Sequence, residues 1–224
     1  METKYNEIYY ESINDVLSEG YKKLISKLVL DLPLNGKILD VGCGKANYLK
    51  NIHELRPDLQ LYGIDIGDMN SSIPSFINFQ KASGDNIPFE NNMFDLLVCF
   101  HVIEHLLNPY DFMIEFHRVV KSNGLLYIEM PYYKTAFIPE GNANFWSEPT
   151  HIRPYNYYSV ERLLKENGFL KLEINVWRNW ISVLLFPYLL FKRIFFKDYD
   201  ALSTFYANLY GISIGGLGQN IKKE

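Results

Sequence analysis

Cysteine is scarce in this chain: Cys43 and Cys99 are the only two among 224 residues, and both lie in or beside apolar, strand-like runs. Such thiols read as free rather than as a disulfide framework. The opening stretch METKYNEIYYESIND lacks a basic segment followed by an apolar one, so no secretory signal is read there and a cytoplasmic protein is expected. Positive charge is not in excess either. With 22 basic against 26 acidic side chains the net charge is −4, which offers no basic face for nucleic acid. Long apolar runs are missing as well. The nearest approach, WISVLLFPYLLFKRIFF, is interrupted by Pro187, Lys192 and Arg193 and falls short of the roughly 18–20 apolar residues of a transmembrane helix. Internal repeats and linkers are also lacking, and one large domain is the simplest expectation.

What is present suits a soluble enzyme: 48% hydrophobic and 21% charged residues, with aromatics at 16%. Tyrosine leads the aromatics with 17 copies, and the rings concentrate in the last hundred residues. Apolar residues recur at helical spacing from Ile13 to Leu30, and DLPLNG stops the run with Pro33 and Gly36. KILDVG then reads as a buried strand, ANYLKNIHEL as a helix closed by Pro57, LQLYGIDI as a second strand and FINFQKAS as a short third. FDLLVCFHV reads as a fourth strand, YDFMIEFHRVVK as an amphipathic helix ended by SNG, and LLYIEMP as a fifth strand stopped by Pro131. This alternation predicts a parallel, doubly wound α/β sheet with helices on both faces. Residues 132–156 lose regularity and read as a substrate-side loop. SVERLLKENGF restores a helix, with Ser159 as N-cap and Gly168 as stop, and LKLEINVW gives a sixth strand. Residues 178–224 are aromatic, then glycine-rich, and their pattern predicts least.

The stretch ILDVGCGKANYL, residues 38–49, carries the first functional signal. In an open parallel sheet the ligand lies outside the carboxyl ends of the strands, and a glycine-rich first turn lets it approach the backbone. Gly42 and Gly44 occupy that turn, but alone they leave open a dinucleotide loop, a loop for another nucleotide-like ligand, and a plain tight turn. A dinucleotide fingerprint requires a third glycine where Asn47 stands, which disfavours a pyrophosphate and an NAD-dependent oxidoreductase. Asp65, closing the second strand, is placed to accept from both hydroxyls of an adenosine ribose, a feature shared by NAD and S-adenosylmethionine sites. Asp85, in the loop after the third strand, is placed to accept from an adenine amino group, with Ile87 offering the ring an apolar edge.

With those residues in order, the sequence resembles the class I S-adenosylmethionine-dependent methyltransferases of the small-molecule group. The resemblance rests on ILDVGCG, YGIDI, GDNIPFENNMFDLLVCFHVIEHL, FHRVVKSNGLLYIEMP and HIRPYNYYSVERLLKENGF, in the family's order over roughly residues 36–176. It implies a Rossmann-like methyltransferase fold with a leading helix and an aromatic C-terminal extension, and S-adenosyl-L-methionine as cofactor. Carried over, Asp40, Gly42 and Gly44 line the methionine end, Asp65 the ribose, Asp85 and Asn86 the adenine, and His101 a wall of the crevice. Asn123 stands where the family usually has proline or glycine. Because little chain follows GGLGQNI, the family's last strand is expected to be short, displaced or missing.

Methyl transfer relies heavily on positioning the acceptor, and a hydroxyl acceptor is helped by a base. His101, ending the fourth strand, and His151, in the aromatic segment, are the catalytic candidates. HVIEH also resembles the Glu-x-x-Glu-His pattern with which some family members hold a divalent ion, but His101 replaces the first acid. No metal is expected, and Glu104 and His105, with His101 and His151, are the candidates should one bind. Tyr132, Tyr133, Phe145, Trp146 and Tyr155 are the candidate aromatic wall for an acceptor. The chain is thus read as a methyltransferase domain over 1–176 and an extension over 177–224 that packs on it as a lid, a dimer element or a membrane-surface element, with membrane contact through 177–196. The acceptor is expected to be small or glycan-like and methylated at oxygen. A quinone- or lipid-type methyltransferase and a non-catalytic cofactor-binding protein are the rivals.

Overall fold

Five strands of nearly continuous apolar sequence cannot each bury one face only; they demand cover on both. A computed structural model of the chain describes residues 19–68, 73–139, 141–178 and 183–222. Strand β1 (Lys37–Val41) is buried along four of its five residues, as a central parallel strand should be. It lies between β2 (Gln60–Asp65) and β4 (Phe94–Phe100), parallel to both, and β3 (Ile77–Lys81) extends the sheet beside β2. β5 (Val120–Pro131) pairs in parallel with β4, and the order across the seven-stranded sheet is β3-β2-β1-β4-β5-β7-β6.

Two apolar clusters cover the two faces. Helix α1 (Glu19–Leu30) and α2 (Asn47–Leu55) bury Ile25, Val29, Leu49 and Ile52 on one face. Helix α3 (Pro109–Val119) and α4 (Tyr157–Glu166) bury Met113, Phe116, Val160 and Leu164 on the other. Each such side chain contributes about 1.5–3 kcal/mol relative to exposure. Local chemistry sets the helix starts. Asn108 accepts from the Tyr110 N–H, and Pro109 takes the first helical position, where no donor is lost. Helix α4 is capped by Asn156, not by Ser159 as the sequence suggested: Ser159 is the third helical residue, its N–H donates to Asn156 Oδ1 and its Oγ accepts from the Asn156 N–H. A serine three residues inside a helix completes a capping box as readily as it starts one.

The expectation of a curtailed last strand is corrected. β6 (Phe169–Trp177) does not border β5; β7 (Ser213–Asn220) lies between them, antiparallel to both. Its sequence, SIGGLGQN, is poor in strand formers, but the glycines are required by their neighbours. A Cβ on Gly215 would stand 2.1 Å from Tyr127 Oη, and one on Gly216 would stand 2.6 Å from Val160 Cγ1. Asn220 Nδ2 pins the strand's far end to the His117 and Val120 carbonyls.

The rest of the extension divides in two. Helix α6 (Tyr199–Tyr210) packs through Ala201, Ser203, Ala207 and Asn208, and its Asp200 and Ser203 accept from the Asn142 and Ala143 N–H groups. Helix α5 (Phe186–Phe195) packs beside α6 but buries none of its residues, and Tyr188, Phe191, Ile194 and Phe195 are exposed. The 13–18 part of the expected leading helix and residues 179–182 fall outside the described residues. No helix among the described residues is long and apolar enough to cross a membrane.

Candidate active site

Strand order reverses between β1 and β4, so the crevice opens beyond their carboxyl ends. One wall is backbone. Gly42 and Gly44 adopt φ of 78° and 50°, and the Gly42 and Cys43 N–H groups donate to the Ile64 carbonyl at 2.9 and 3.1 Å. A Cβ on Gly42 would come within 2.4 Å of Val102 Cγ2, so the turn after β4 closes directly over this loop. Asp65 is buried and takes Gly44 N–H on Oδ2 at 2.9 Å and Gly67 N–H on Oδ1 at 2.8 Å. Ile66, next in sequence, is 75% exposed, an apolar side chain held out beside the candidate ribose acid. Sequence reasoning missed it, although its place directly after the strand-ending acid was a usable signal.

Asp40 is buried at the end of β1, and its carboxyl is pushed up to about 8, by desolvation first and by the charge of Asp65 second. Asp85 and Asn86 are exposed on the loop after β3. That loop packs against β1, since a Cβ on Gly84 would stand 3.0 Å from Val41 Cγ1. Ile87 does not offer the apolar edge expected of it. It is buried in the core, and its N–H donates to Glu115 Oε2 at 2.8 Å.

The other wall is made of side chains. His101 is the first residue beyond β4, with φ of 52°, and its N–H donates to the Glu129 carbonyl at 2.8 Å. Its Nδ1 lies 3.3 Å from Glu104 Oε1 and its Nε2 lies 4.0 Å from Glu129 Oε1. Burial alone would lower its pKa, but the two carboxylates outweigh burial and raise it. A histidine favoured in its cationic form is a poor proton acceptor. Glu129 escaped sequence reasoning because it sits within the apolar run LLYIEMP. It is buried, accepts from Tyr127 Oη at 2.6 Å and Ser213 Oγ at 2.7 Å, and Trp177 Nε1 donates to Tyr127 Oη at 3.1 Å.

Glu104 is fully buried in the short turn Ile103–His105, and neither of its carboxylate oxygens has a hydrogen-bond partner. Its backbone carbonyl accepts from the Ile152 and Arg153 N–H groups at 2.9 and 3.3 Å, which draws the 132–156 segment onto the turn. His105 Nε2 and His151 Nε2 then stand 4.0 and 3.9 Å from Glu104 Oε1. Burial lowers the His151 pKa, favouring the neutral ring. The five aromatics expected to form one wall separate. Phe145 and Tyr155 are buried, Phe145 stacking on His151 at 4.4 Å, while Trp146 is exposed and Tyr132 meets Tyr133 edge-to-face.

A buried acid pair and a glycine cradle that a Cβ would fill suit a ligand carrying positive charge and a ribose. S-adenosylmethionine has both, and the fold and this cradle together define an S-adenosylmethionine-dependent methyltransferase domain of class I. A family model described as a methyltransferase domain matches residues 13–174, and the chain belongs to that family. Among curated relatives, a carboxy-S-adenosyl-L-methionine synthase from Campylobacter jejuni is 26% identical over 70% of this chain and 65% of its own length. A ubiquinone/menaquinone biosynthesis C-methyltransferase from the same species is 29% identical over 53% of this chain and 57% of its own. The chain thus spans somewhat less than two thirds of the length of these relatives. Among solved structures, an S-adenosylmethionine-dependent methyltransferase from Archaeoglobus fulgidus superposes with a TM-score of 0.65 at 16% identity, covering 95% of this chain and 99% of that one. A Haemonchus contortus phosphoethanolamine N-methyltransferase, solved with phosphomonomethylethanolamine and S-adenosylhomocysteine, gives 0.63 at 15% identity, covering 89% and 52%.

Proposed function

We propose that this chain methylates a hydroxyl oxygen of a small or glycan-like acceptor, with Asp40, Gly42, Gly44, Asp65, Asp85, Asn86 and His101 lining the cofactor's place. When bound, S-adenosylmethionine supplies an electrophilic methyl group, which joins the acceptor oxygen while its bond to sulfur breaks and the electron pair stays on sulfur. The chain's own residues orient the acceptor and receive the hydroxyl proton. One observation carries the choice of oxygen: the Nε2 atoms of His105 and His151 gather around the carboxylate of Glu104, on the turn whose Val102 side chain meets Gly42. The proton leaves to this cluster, and His101, held between Glu104 and Glu129, positions it. A shallow depression lined by Tyr133, Lys134, Phe137 and Tyr210 opens near the same segment and suits a sugar or an anionic group.

The test uses methyl-labelled cofactor with an extract of the source cell, following S-adenosylhomocysteine and the labelled product. His151→Ala should lower turnover about 100-fold while S-adenosylhomocysteine affinity stays within twofold. Equal turnover in wild type, His101→Ala and His151→Ala would remove the proton-transfer assignment.

A lipid- or quinone-type acceptor is the second reading, favoured by α5. Its apolar side chains are exposed, Lys192 and Arg193 fall in its last turn, and Lys197 follows, which is the make-up of a helix resting on an anionic membrane surface. Sedimentation with vesicles of anionic and of neutral phospholipid decides: binding to neither sinks this reading.

A further inference from the structure

We propose that Arg118, paired with Glu115, sets the chain's selectivity for an adenine-bearing cofactor without touching it, by fixing the backbone on which Asp85 and Asn86 stand; this rests on the reading that places the cofactor's adenine at those two residues.

Donor accounting supplies the argument. A guanidinium has five N–H donors and no acceptor, and Arg118 uses all five at once. Its Nε and Nη2 fork onto Glu115 Oε1 and Oε2, both at 2.7 Å. Nη2 also donates to the Ile87 carbonyl at 2.8 Å, and Nη1 donates to the Phe89 carbonyl at 2.7 Å and to Asn91 Oδ1 at 2.9 Å. Glu115 closes the ring of bonds, because its Oε2 takes the Ile87 N–H at 2.8 Å. Both backbone polar groups of Ile87 are therefore held, and Ile87 directly follows Asn86. Lysine, with three donors on one nitrogen, matches neither the fork nor the count.

Asp85 and Asn86 need that support. Both are exposed, and among the described residues no side-chain hydrogen bond holds either one. Their place is set by the residues on either side. Before them, Gly84 lies so close to α3 that a Cβ there would stand 2.4 Å from Phe112 Cε1. After them comes the clamp on Ile87. Phe112, Glu115 and Arg118 recur at every third residue of α3, so one face of the helix holds both ends of the dipeptide. The Phe89 ring, edge-to-face with Tyr62 and Phe94, and the Asn92 N–H, donating to the Arg118 carbonyl at 3.0 Å, then carry the loop back to β4. Ile87, Phe89 and Asn91 all lie outside strands and helices, so the guanidinium orders the loop and not the sheet. A loop fixed before its ligand arrives does not have to be ordered on binding, and the ordering cost is removed from the affinity.

The test measures, by calorimetry on the full chain, the binding of S-adenosylhomocysteine and of S-inosylhomocysteine, whose base carries an oxygen where adenine carries its amino group. Wild type should prefer the adenine ligand by about tenfold, the amino group donating to Asp85. Arg118→Lys should weaken S-adenosylhomocysteine by about tenfold and the inosine ligand by less than about threefold, so that most of the preference disappears. Turnover of labelled S-adenosylmethionine in cell extract, at saturating cofactor, should stay within about twofold, since the reacting atoms are untouched. Glu115→Gln, which keeps an oxygen for the Ile87 N–H, should lose part of the preference. Arg56→Lys is the control: Arg56 forks onto Asp58 and donates to the Val29, Leu30, Leu32 and Pro33 carbonyls, at the amino ends of β1 and β2, so its loss should lower stability and leave both affinities unchanged. A wild-type chain that binds neither ligand would overturn the cofactor reading and the proposal with it. A preference that survives intact in Arg118→Lys would overturn the proposal alone, as would an equal loss of preference in Arg56→Lys.

Discussion

The glycine-lined wall of the crevice, proposed to hold the cofactor, and the side-chain wall, proposed to hold the acceptor, reach order by different routes. The first is set by backbone dihedrals at Gly42, Gly44 and Ala46 and by N–H groups donated to Asp65. The second is assembled from side chains of the turn after β4, of β5 and β7, and of residues 145–153. A backbone-built wall leaves no room at Gly42, whereas a side-chain wall tolerates replacement of its histidines and loses chemistry instead of fold.

Gly42→Ala tests the first wall with the largest expected effect. The added carbon meets Val102 and the residue must keep φ of 78°. Stability should fall by about 3 kcal/mol in a denaturant melt, and S-adenosylhomocysteine affinity should fall with it. A variant as stable as wild type would break the comparison. Ser213→Ala acts on the second wall by removing one donor from buried Glu129, costing about 2 kcal/mol with cofactor affinity unchanged. A matching loss of affinity would show that the walls are not separable.

Asp40 sharpens the contrast through pH. Its folded pKa, about 8, lies above its ordinary value of 3.8, so between those values the folded chain holds more protons than the unfolded one. The ligand-free chain should therefore lose stability as pH rises through that window. A cationic ligand favours the ionised carboxylate, so binding near pH 7 should release a proton, seen as a calorimetric heat that varies with buffer. Asp40→Asn should abolish that release and weaken binding about tenfold, or 1.4 kcal/mol. The smallest effect belongs to α5: Phe191→Glu with Phe195→Glu should leave the melt within about 0.5 kcal/mol while removing vesicle binding.

Most of the sheet was legible because its strands and helices switch apolar period cleanly, and ILDVG and YGID announced β1 and β2. β7 was not, since its glycines answer to Tyr127 and Val160 rather than to any local preference. The turn at Gly42 and Gly44 and the acid at Asp65, proposed to face the cofactor, were readable as local features, because a glycine with positive φ and a strand-ending acid leave local signatures. On the other wall, His101, Glu104, His105 and His151 were grouped only through the family resemblance. Nothing in spacing says that His151 returns to Glu104, because that approach is fixed by the Ile152 and Arg153 N–H groups, and Glu129 is disguised by the apolar strand around it. Ser159 misled for a physical reason: in a capping box the third residue carries the same hydroxyl chemistry as a cap.

The insertion of β7 between β5 and β6 has a consequence for birth on the ribosome. Synthesis runs from β5 to β6 to β7, yet β6 pairs with β7 and not with β5. Each of the first five strands pairs only with others of those five or, for β5, with β7 as well. β6 therefore has no strand to pair with until residues 213–220 have been made, and the hydrogen bond from Ser213 to Glu129 cannot form before then.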